Sequence, residues 1–362
     1  MKTKKYFATA FLTAYCVCLL PIFCSAQDIH FSQYNFSPLT LNPALTACYK
    51  DLQATLNYKQ QWHAVDAYTT YEATFEMKLN QKKWIKLDRM TETYKKKLIK
   101  GLAFGLNAFS DKAGDGKMKT TNENFSLAYH SLLSEHSTLS AGLMGGIVQH
   151  SIDPSALRWN NQYSTGVYDP TANPGENFSR SNFINFDYSL GVLYSYGDMN
   201  SYITANDQKF FNVGFSLSHL NKTQVYYIGG NDLLYRRFTL HANSMFGIKN
   251  THYSVAPSVL AVQQGPNREI TLGMFLKYKV KDESVYTGII KSTVFSLGCF
   301  YRNKDAVIPC FMVEMDKYTL GISYDTNISG LVAATSGRGG FEISLRFGSP
   351  SPFLYQNSHS RI

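Results

Sequence analysis

The sequence is poor in cysteine and lacks the usual signatures of a catalytic or metal centre. Of its six cysteines, only Cys48, Cys299 and Cys310 lie after residue 26, an odd number that is too small for a disulfide scaffold. The nine histidines include no pair at the spacing of a metal-binding helix, and the motifs Cys-x-x-Cys, His-Glu-x-x-His and Gly-x-Ser-x-Gly are absent. We therefore predict that the protein is not an enzyme and has no catalytic residues, no cofactor and no metal site.

Long apolar runs are also missing after residue 26, since no later segment reaches the ~18 apolar residues of a membrane helix. The start of the chain differs, because three lysines precede an apolar run at residues 6–23 and small residues follow it. This pattern predicts a secretory signal peptide at residues 1–26, cleaved before Gln27. The net charge of +9, which is +6 without those lysines, is not concentrated in a basic recognition helix. We therefore expect an exported chain that does not bind nucleic acid.

The sequence is rich in alternation between apolar and polar residues, which is typical of β-strands with one apolar face. Fourteen segments of about ten residues follow this pattern, the length that a tilted strand needs to cross a bilayer. They lie at residues 52–59, 70–79, 100–110, 120–130, 137–150, 184–196, 210–219, 236–248, 252–263, 268–279, 292–302, 305–315, 317–326 and 340–347.

These segments predict an all-β fold, a transmembrane antiparallel β-barrel of about 14 strands over residues 51–347. A soluble β-sandwich would bury the same apolar faces. The even strand number, the alternation of long and short connections, and an aromatic residue ending the last strand favour the barrel. The last segment is predicted to close the barrel against Leu52–Tyr58. The predicted lipid-facing residues of the two closing strands are Tyr318, Leu320, Ile322, Tyr324, Phe341, Ile343, Leu345 and Phe347.

The connections predict which end of the barrel faces outward. With both termini in the periplasm, the long loops at 111–119, 151–183 and 221–235 are extracellular, and short breaks such as 131–136 are periplasmic. Within the strands, Pro257 is unexpected because proline cannot donate to a ladder and belongs at an edge or a bulge.

Three segments do not fit the strand pattern. Residues 27–50 have no sustained alternation, and we interpret them as an extended, plug-like segment in the lumen or at its periplasmic mouth. Residues 81–100 have apolar residues at helical spacing and eight basic residues, which predicts a basic amphipathic periplasmic helix. This helix lies either on anionic headgroups or in solvent, where it caps the barrel or meets a partner. Residues 348–362 form a predicted periplasmic tail.

Two features admit a second interpretation. A tight turn centred on Lys304 and Asp305 would place Cys299 directly opposite Cys310, so that a disulfide is possible. The favoured interpretation is that both cysteines serve as small hydrophobic residues, either buried or facing lipid. The segment Asp111-Lys-Ala-Gly-Asp-Gly116 suggests a calcium loop, yet it lacks the alternating oxygen ligands of an EF-hand. A glycine-rich hairpin tip explains the same residues.

Motifs in the same order along the whole chain resemble the PorP/SprF family of type IX secretion system membrane proteins. The first is Gln27-Asp-Ile-His-Phe-Ser-Gln-Tyr34, followed by Leu41-Asn-Pro-Ala44 and Tyr58-Lys-Gln-Gln-Trp62. The others are Asp111–Gly116, Ser151–Asp153, Ser218–Asn221, Arg236–His241, Tyr301-Arg302, Gly321–Asp325 and Gly340–Leu345. The family-motif residues chosen as candidate partner-binding positions are Phe31, Tyr34, Asn42, Pro43, Trp62, Asp111, Gly114, Asp115, Gly116, Arg236 and Arg237.

The resemblance implies an outer-membrane barrel that partners or anchors a large secreted cargo protein, with gliding motility as one associated role. The implied partners are that cargo, other periplasmic and outer-membrane components of type IX secretion, and outer-membrane lipid. A long 81–100 insert and a tail without a Cys-Pro-Arg-Phe-like ending depart from the family pattern and leave the periplasmic partner open. The alternative function is an outer-membrane transporter of small molecules, in which residues 27–50 act as a hatch.

Overall fold

The computed structural model describes residues 28–62, 68–79, 101–134, 136–164, 166–176, 178, 180–197, 209–228, 233–281, 293–330 and 332–348. The predicted signal peptide, the predicted basic helix at 81–100 and the predicted tail beyond Gly348 lie outside these ranges. Across the described ranges, no helix is long and apolar enough to cross a membrane.

Sixteen strands are present in the described residues, and fourteen of them close into one antiparallel barrel. The barrel strands are β1 (Leu52–Gln61), β2 (Tyr68–Lys78), β3 (Gly101–Ala113), β4 (Met118–Leu132), β5 (Ser137–Ser151), β8 (Asn182–Gly197), β9 (Lys209–Ser218), β10 (Arg237–Gly247), β11 (Tyr253–Gln264), β12 (Asn267–Lys281), β13 (Thr293–Arg302), β14 (Ala306–Met315), β15 (Tyr318–Asn327) and β16 (Arg338–Gly348). The short strands β6 (Tyr163–Ser164) and β7 (Val167–Tyr168) form a separate hairpin.

Short helical turns complete the described structure. Three lie before β1, at Tyr34–Phe36, Pro38–Leu41 and Pro43–Leu45, and one lies before β16, at Val332–Thr335. Two more precede β6, at Pro154–Ala156 and Asn160–Gln162.

The predicted closure between the last and first strands is confirmed. Strand β16 pairs antiparallel with β1, so that Phe347 lies opposite Ala54 and Phe341 lies opposite Gln60. The other barrel strands pair with their sequence neighbours, and β5 pairs with β8. A closed barrel leaves no strand edge unpaired, which is the condition for a β-structure in lipid.

The alternation of the sequence appears as two faces of the barrel wall. The predicted lipid-facing residues of β15 and β16 lie on the outer face, where Tyr318 is 55 % exposed and Leu345 is 46 % exposed. The intervening polar residues, such as Ser323 and Glu342, point inward and are buried. The outer surface is therefore apolar and much of the inner face is polar. On β11 to β14 the inner face also carries apolar side chains, among them Leu260, Phe300 and Ile308.

We call the end of the barrel where β1 begins and β16 ends the terminal end, and the opposite end the loop end. Long connections at 152–181 and 219–236 lie at the loop end, and turns at 133–136 and 248–252 lie at the terminal end. Asp111 lies within β3 instead of in a loop, because β3 continues to Ala113 and leaves only residues 114–117 as the turn.

The sequence predicts Pro257 at a strand edge or at a bulge, and the prediction of an edge is wrong. Pro257 lies inside β11 and opposite Met274 of β12. On its other side the ladder with β10 is interrupted, because Ser244 and Met245 have no register partner in β11. The proline is therefore accommodated where the neighbouring strand does not need its missing N–H.

The predicted opposition of Cys299 and Cys310 is also wrong. The turn between β13 and β14 pairs Cys299 with Pro309 and Cys310 with Gly298, one residue away from the expected register. A one-residue shift moves a side chain to the other face of a sheet. Cys299 is accordingly exposed on the outer face, Cys310 is buried on the inner face, and all three described cysteines are free.

Candidate functional site

Residues 28–51, the luminal segment, pass through the barrel from one end to the other. At the loop end Asp28 contacts His219, which directly follows β9. At the terminal end the Asp51 carboxylate lies 3.6 Å from the Lys78 ammonium at the end of β2. Between these points nearly every residue is buried against inward-facing side chains of the wall.

The luminal segment is not extended, as the sequence suggested, but folds into three short helical turns. Pro38 and Pro43 each stand at the first position of a turn, where their fixed φ angle and missing N–H are tolerated. Asn42 caps the third turn, because its side-chain oxygen accepts a hydrogen bond from the Ala44 N–H at 2.9 Å. Helical turns satisfy backbone groups locally, which a single extended chain in a closed lumen could not do.

Three inward-facing glycines on adjacent strands make room for the second and third turns. Gly142 of β5 is the register partner of Gly191 of β8, and Gly214 lies on β9. A Cβ atom at any of these positions would collide with Asn42, Pro43 or their immediate neighbours. The three glycines form a niche into which the Asn42-Pro43 peptide fits.

Asn42 is fully buried in this niche and is bonded to three parts of the barrel wall. Its amide nitrogen lies 3.1 Å from the Val192 carbonyl, 3.3 Å from the Phe215 carbonyl and 3.1 Å from Nε2 of His241. The side chain therefore connects β8, β9 and β10 to the luminal segment.

A charged cluster near the loop end binds the start of the luminal segment. The Glu342 carboxylate accepts hydrogen bonds from the Ser32 and Gln33 N–H groups at 2.8 and 2.9 Å. The Ser32 hydroxyl donates to Asp325 at 2.6 Å and accepts a hydrogen bond from Arg302 at 2.8 Å. All three charged side chains come from the wall, on β13, β15 and β16.

Opposite charges are paired within the same cluster. Arg302 lies 3.1 Å from Asp325, and the Lys59 ammonium lies 3.9 Å from Asp325 and 4.0 Å from Glu342. Lys59 also donates to the His30 carbonyl at 2.9 Å. These four charged side chains are at most 4 % exposed, so removal of one partner would leave an uncompensated buried charge.

Apolar packing fills the space between the polar contacts. Tyr34 packs edge-on against Phe300 with ring centroids 6.1 Å apart, and Phe300 packs in the same way against Phe275. The Arg346 guanidinium lies over the Phe36 ring, 4.4 Å from its centroid. The two ring systems belong to one buried cluster that joins the luminal segment to the wall.

A second set of polar contacts holds the middle and the end of the luminal segment. The Ser37 hydroxyl donates to Glu72 at 2.6 Å, and the Ala47 N–H donates to Glu76 at 2.7 Å. Thr46 bonds to Ser126 through its hydroxyl at 2.7 Å. The luminal segment is thus attached to the wall along its whole length.

At the loop end, His219 lies between two carboxylates. Its Nε2 is 2.5 Å from Asp28 and its Nδ1 is 3.0 Å from Asp187. Burial works against the charged imidazole, but the two carboxylates outweigh it and raise the pKa of His219 to about 10. Burial likewise opposes the ionised form of Asp28, and the charges of His219 and Arg237 hold its pKa well below the usual range. The pair is therefore ionised at neutral pH and secures the beginning of the luminal segment.

The two long loops at the loop end, residues 152–181 and 219–236, form what we call the two-loop surface. Arg180 joins them. Its guanidinium lies 5.0 Å from the ring centres of Phe183 and Tyr226, and its backbone N–H donates a hydrogen bond to the Tyr227 carbonyl at 3.3 Å. Exposed apolar side chains project from both loops, with Val167 68 % exposed and Tyr235 62 % exposed.

The candidate residues chosen from the sequence fall into two groups. Phe31, Tyr34, Asn42 and Pro43 are buried in the lumen. The rest lie at the loop end. Trp62 follows β1 with its ring 5.2 Å from Tyr68, and Gly114, Asp115 and Gly116 form the β3–β4 turn. Arg236 is the last residue of the loop before β10, and Arg237 begins that strand. Asp111, at the end of β3, accepts a hydrogen bond from Thr70 at 2.5 Å. The structure thus brings together the first group but distributes the second around the barrel rim.

The turn at residues 114–117 is a hairpin tip. Gly114 has φ +62°, which favours glycine, and a Cβ on Gly116 would press against Leu157 of the neighbouring loop. In the described ranges, no three His, Cys, Asp or Glu side chains are arranged to hold a metal ion.

Sequence reasoning missed the wall residues that hold the luminal segment. Arg302, Asp325 and Glu342 stand within family motifs of the sequence, but none of them was chosen as a candidate site residue, and Gly191 was not singled out. The sequence signal for such residues is a charged residue or a glycine at an inward-facing position of a strand, because a water-filled lumen requires neither.

The chain matches the family described as type IX secretion system membrane protein PorP/SprF over residues 23–347. No curated protein is significantly similar to it in sequence. Among solved structures, the Ralstonia pickettii toluene transporter TbuX is similar, with 9 % identity, a TM-score of 0.45 and coverage of 86 % of this chain and 93 % of that chain. A Pseudomonas aeruginosa FadL homologue has 11 % identity, a TM-score of 0.38 and coverage of 85 % and 92 %, respectively.

Proposed function

We propose, from the premise that this chain belongs to the PorP/SprF family of type IX secretion system membrane proteins, that it is a plugged, non-enzymatic barrel of the outer membrane. Its role is to partner a large secreted cargo protein or to anchor it at the cell surface. A signal peptide at residues 1–26 directs its export. Periplasmic components of the secretion system meet the terminal end, and the cargo meets the loop end.

The observation that carries this proposal is the attachment of the luminal segment to the wall. Hydrogen bonds from β1, β2, β4, β8, β9, β10, β13, β15 and β16 reach it, and they include those of the buried charged side chains Lys59, Arg302 and Glu342 and those of the fully buried Asn42. A segment held in this way leaves the barrel closed in its resting state. A closed barrel acts through its surfaces, which favours a partner or anchor over a conduit.

The two-loop surface supplies the docking face for the cargo in this proposal. Monomeric soluble surfaces seldom expose contiguous apolar patches, and large exposed side chains on ordered loops are typical of protein-binding sites. Val167 lies on the β7 strand of one loop and Tyr235 lies at the end of the other. The two loops contact each other through Arg180 and Tyr226, which supports the assignment of the docking face to this pair of loops.

The test is cross-linking in cells followed by affinity purification of the tagged barrel. We expect a large secreted protein and other type IX components to be recovered with the wild type. The double variant Val167→Asp/Tyr235→Asp should lose the secreted protein and keep the periplasmic components. Ile328→Asp, a 48 % exposed residue in another connection at the loop end, is the matched control. Recovery of neither partner class with the wild type would refute the proposal.

A second measurement separates this function from small-molecule transport. Wild-type barrels in liposomes should admit small sugars no faster than empty liposomes do, because the luminal segment remains bound. Rapid uptake by the wild type would favour the transporter, with the luminal segment as a hatch. The loss of uptake when the segment is covalently linked to the wall would strengthen that opposite conclusion.

A further inference from the structure

Two lysines face each other on the outer wall of the barrel near the loop end. Lys112 of β3 and Lys119 of β4 are register partners, and both side chains are exposed. Directly opposed residues of an antiparallel pair have Cβ atoms about 5 Å apart, and like charges at this distance destabilise the pairing. Within the described ranges, neither ammonium group forms an ion pair. A bound anion would relieve this repulsion.

A groove surrounds the two lysines and contains further donors. It has a volume of about 710 Å³, and the hydroxyl-bearing residues Thr69, Tyr71, Ser110 and Ser151 are part of its lining. Lys117 from the β3–β4 turn joins them, and Ile152 and Asp153 of the adjoining loop complete the lining. We call this feature the lysine groove.

Lys117 is only partly neutralised within the lysine groove. Its ammonium lies 3.5 Å from the Asp153 carboxylate, and the two side chains are 57 % and 40 % exposed. Exposed ion pairs of this length are weak, so Lys117 can turn to a ligand at little cost. Three lysines against one carboxylate leave the groove with an excess of two positive charges.

The position of the lysine groove indicates what kind of anion it receives. Along the same strands, toward the terminal end, the outer face becomes apolar: Leu106 is 47 % exposed, Phe125 44 % and Ile147 44 %. Ile147 lies four residues before Ser151 on β5, a distance of about 13 Å along the strand. A molecule with phosphates in the groove could therefore lay its hydrocarbon chains on the wall of β2 to β5.

We propose that the lysine groove binds the phosphate groups of a phosphorylated lipid from the membrane leaflet at the loop end. The lysines and the hydroxyl groups contact the phosphates, and the acyl chains cover the apolar side chains below. Basic clusters beside a membrane-facing apolar surface recognise anionic headgroups by this combination of charge and burial. The inference rests on the barrel being embedded in a membrane and is independent of the cargo that it serves.

The test is native mass spectrometry of the purified, folded barrel after exchange into detergent that contains diphosphorylated lipid A. We expect wild-type barrels to retain this lipid. The variant Lys112→Gln/Lys119→Gln should bind it on the order of 30-fold more weakly, since each lysine near a membrane surface contributes roughly fivefold. Lys112→Arg/Lys119→Arg, which keeps the charge, should retain binding. Lys222→Gln/Lys304→Gln removes the same charge elsewhere at the loop end and should bind within about twofold of the wild type.

Two probes identify the source of the phosphate. Lipid A that has been dephosphorylated enzymatically should not be retained, and inorganic diphosphate should not displace the phosphorylated lipid. Equal retention of dephosphorylated lipid, displacement by diphosphate at matched concentration, or unchanged binding by the double glutamine variant would each overturn the proposal. Heat-dependent migration on gels verifies that every variant is a folded barrel.

Discussion

The amide of Asn42 is where we expect the luminal segment to be most sensitive to a single substitution. Asn42→Ala removes the side chain that joins the luminal segment to three neighbouring strands, and it adds no atoms that could clash in the glycine niche. The backbone turn that begins at Pro43 also loses its cap. The substitution therefore acts on the attachment of the luminal segment and leaves the strand ladder of the barrel intact.

The magnitude follows from the hydrogen bonds that are lost. Two well-formed bonds from the amide nitrogen, at 3.1 Å each, and one to the oxygen, at 2.9 Å, disappear. Each contributes about 1 kcal/mol net, and the Ala44 N–H, left buried without an acceptor, adds to the loss. We expect local attachment to weaken by about 3 kcal/mol, which raises the released population roughly 100-fold.

Cys48 provides a native probe for this release. Its thiol is buried, lies 4.0 Å from the Ser195 hydroxyl and belongs to the luminal segment. When opening and closing are faster than labelling, the alkylation rate of such a thiol is proportional to the open population. Peptide-resolved mass spectrometry should show Cys48 reacting roughly 100-fold faster in Asn42→Ala, while the exposed Cys299 reacts at an unchanged rate.

The conservative variant Asn42→Asp separates the hydrogen bond that caps the turn from the hydrogen bonds that Asn42 donates to the wall. Its carboxylate can still accept from the Ala44 N–H but cannot donate to the carbonyl groups of the wall, so release should again increase. A Cys48 rate within about threefold of the wild type in both variants would refute the reasoning, because a factor of three corresponds to less than ~1 kcal/mol. The unheated gel mobility of the barrel must be unchanged for the comparison to hold.

Three further predictions concern other parts of the chain. Gly191→Ala places a methyl group into the amide of the luminal asparagine, and we expect Cys48 labelling to rise at least tenfold, on the order of a 1.4 kcal/mol loss. The ion pair of His219 stabilises the loop-end attachment fully below the unfolded pKa of 6.5 and loses this effect as pH rises through about 10, so alkaline pH should increase protease cleavage near Asp28. Oxidation with copper phenanthroline should not form a disulfide between Cys299 and Cys310, because the two thiols lie on opposite faces of the wall, and the mass of the intact protein will show this.

Matched controls accompany these predictions. Gly197→Ala adds a methyl group with its nearest neighbour at 3.6 Å and should leave labelling unchanged. His219→Gln keeps a neutral side chain at all pH values and should abolish the alkaline increase in cleavage; persistence of the increase in this variant would contradict the assignment. An oxidised product with a Cys299–Cys310 bond would show that the register of β13 and β14 is wrong.

Much of the fold was predictable because strand alternation is a local property. A side chain in a β-strand points to one of two faces according to its position alone, so the segments, their number and the closure of Phe347 against β1 could be read from the sequence. The family resemblance rested on the same local motifs. Even Asn42 and Pro43 were selected in this way, although their role was not.

The contacts of the candidate site were decided by tertiary structure. Lys59, Arg302 and Glu342 look like residues of a solvated face, since alternation tells which residues share a face and not what covers that face. Only the path of the luminal segment shows that these charges are buried and bonded to it. The glycine niche has the same origin, because it joins glycines of three strands to the Asn42-Pro43 peptide, which is far from them in sequence.

Register is the second quantity that the sequence left open. A difference of one residue in the turn after β13 moved Cys310 to the lumen and removed the predicted opposition to Cys299. The pairing of Lys112 with Lys119, which creates the lysine groove, likewise depends on the register of one hairpin. The sequence alone determined the two faces of each strand, and tertiary structure decided which residues meet across them, because alternation repeats every two residues while a contact requires one particular alignment.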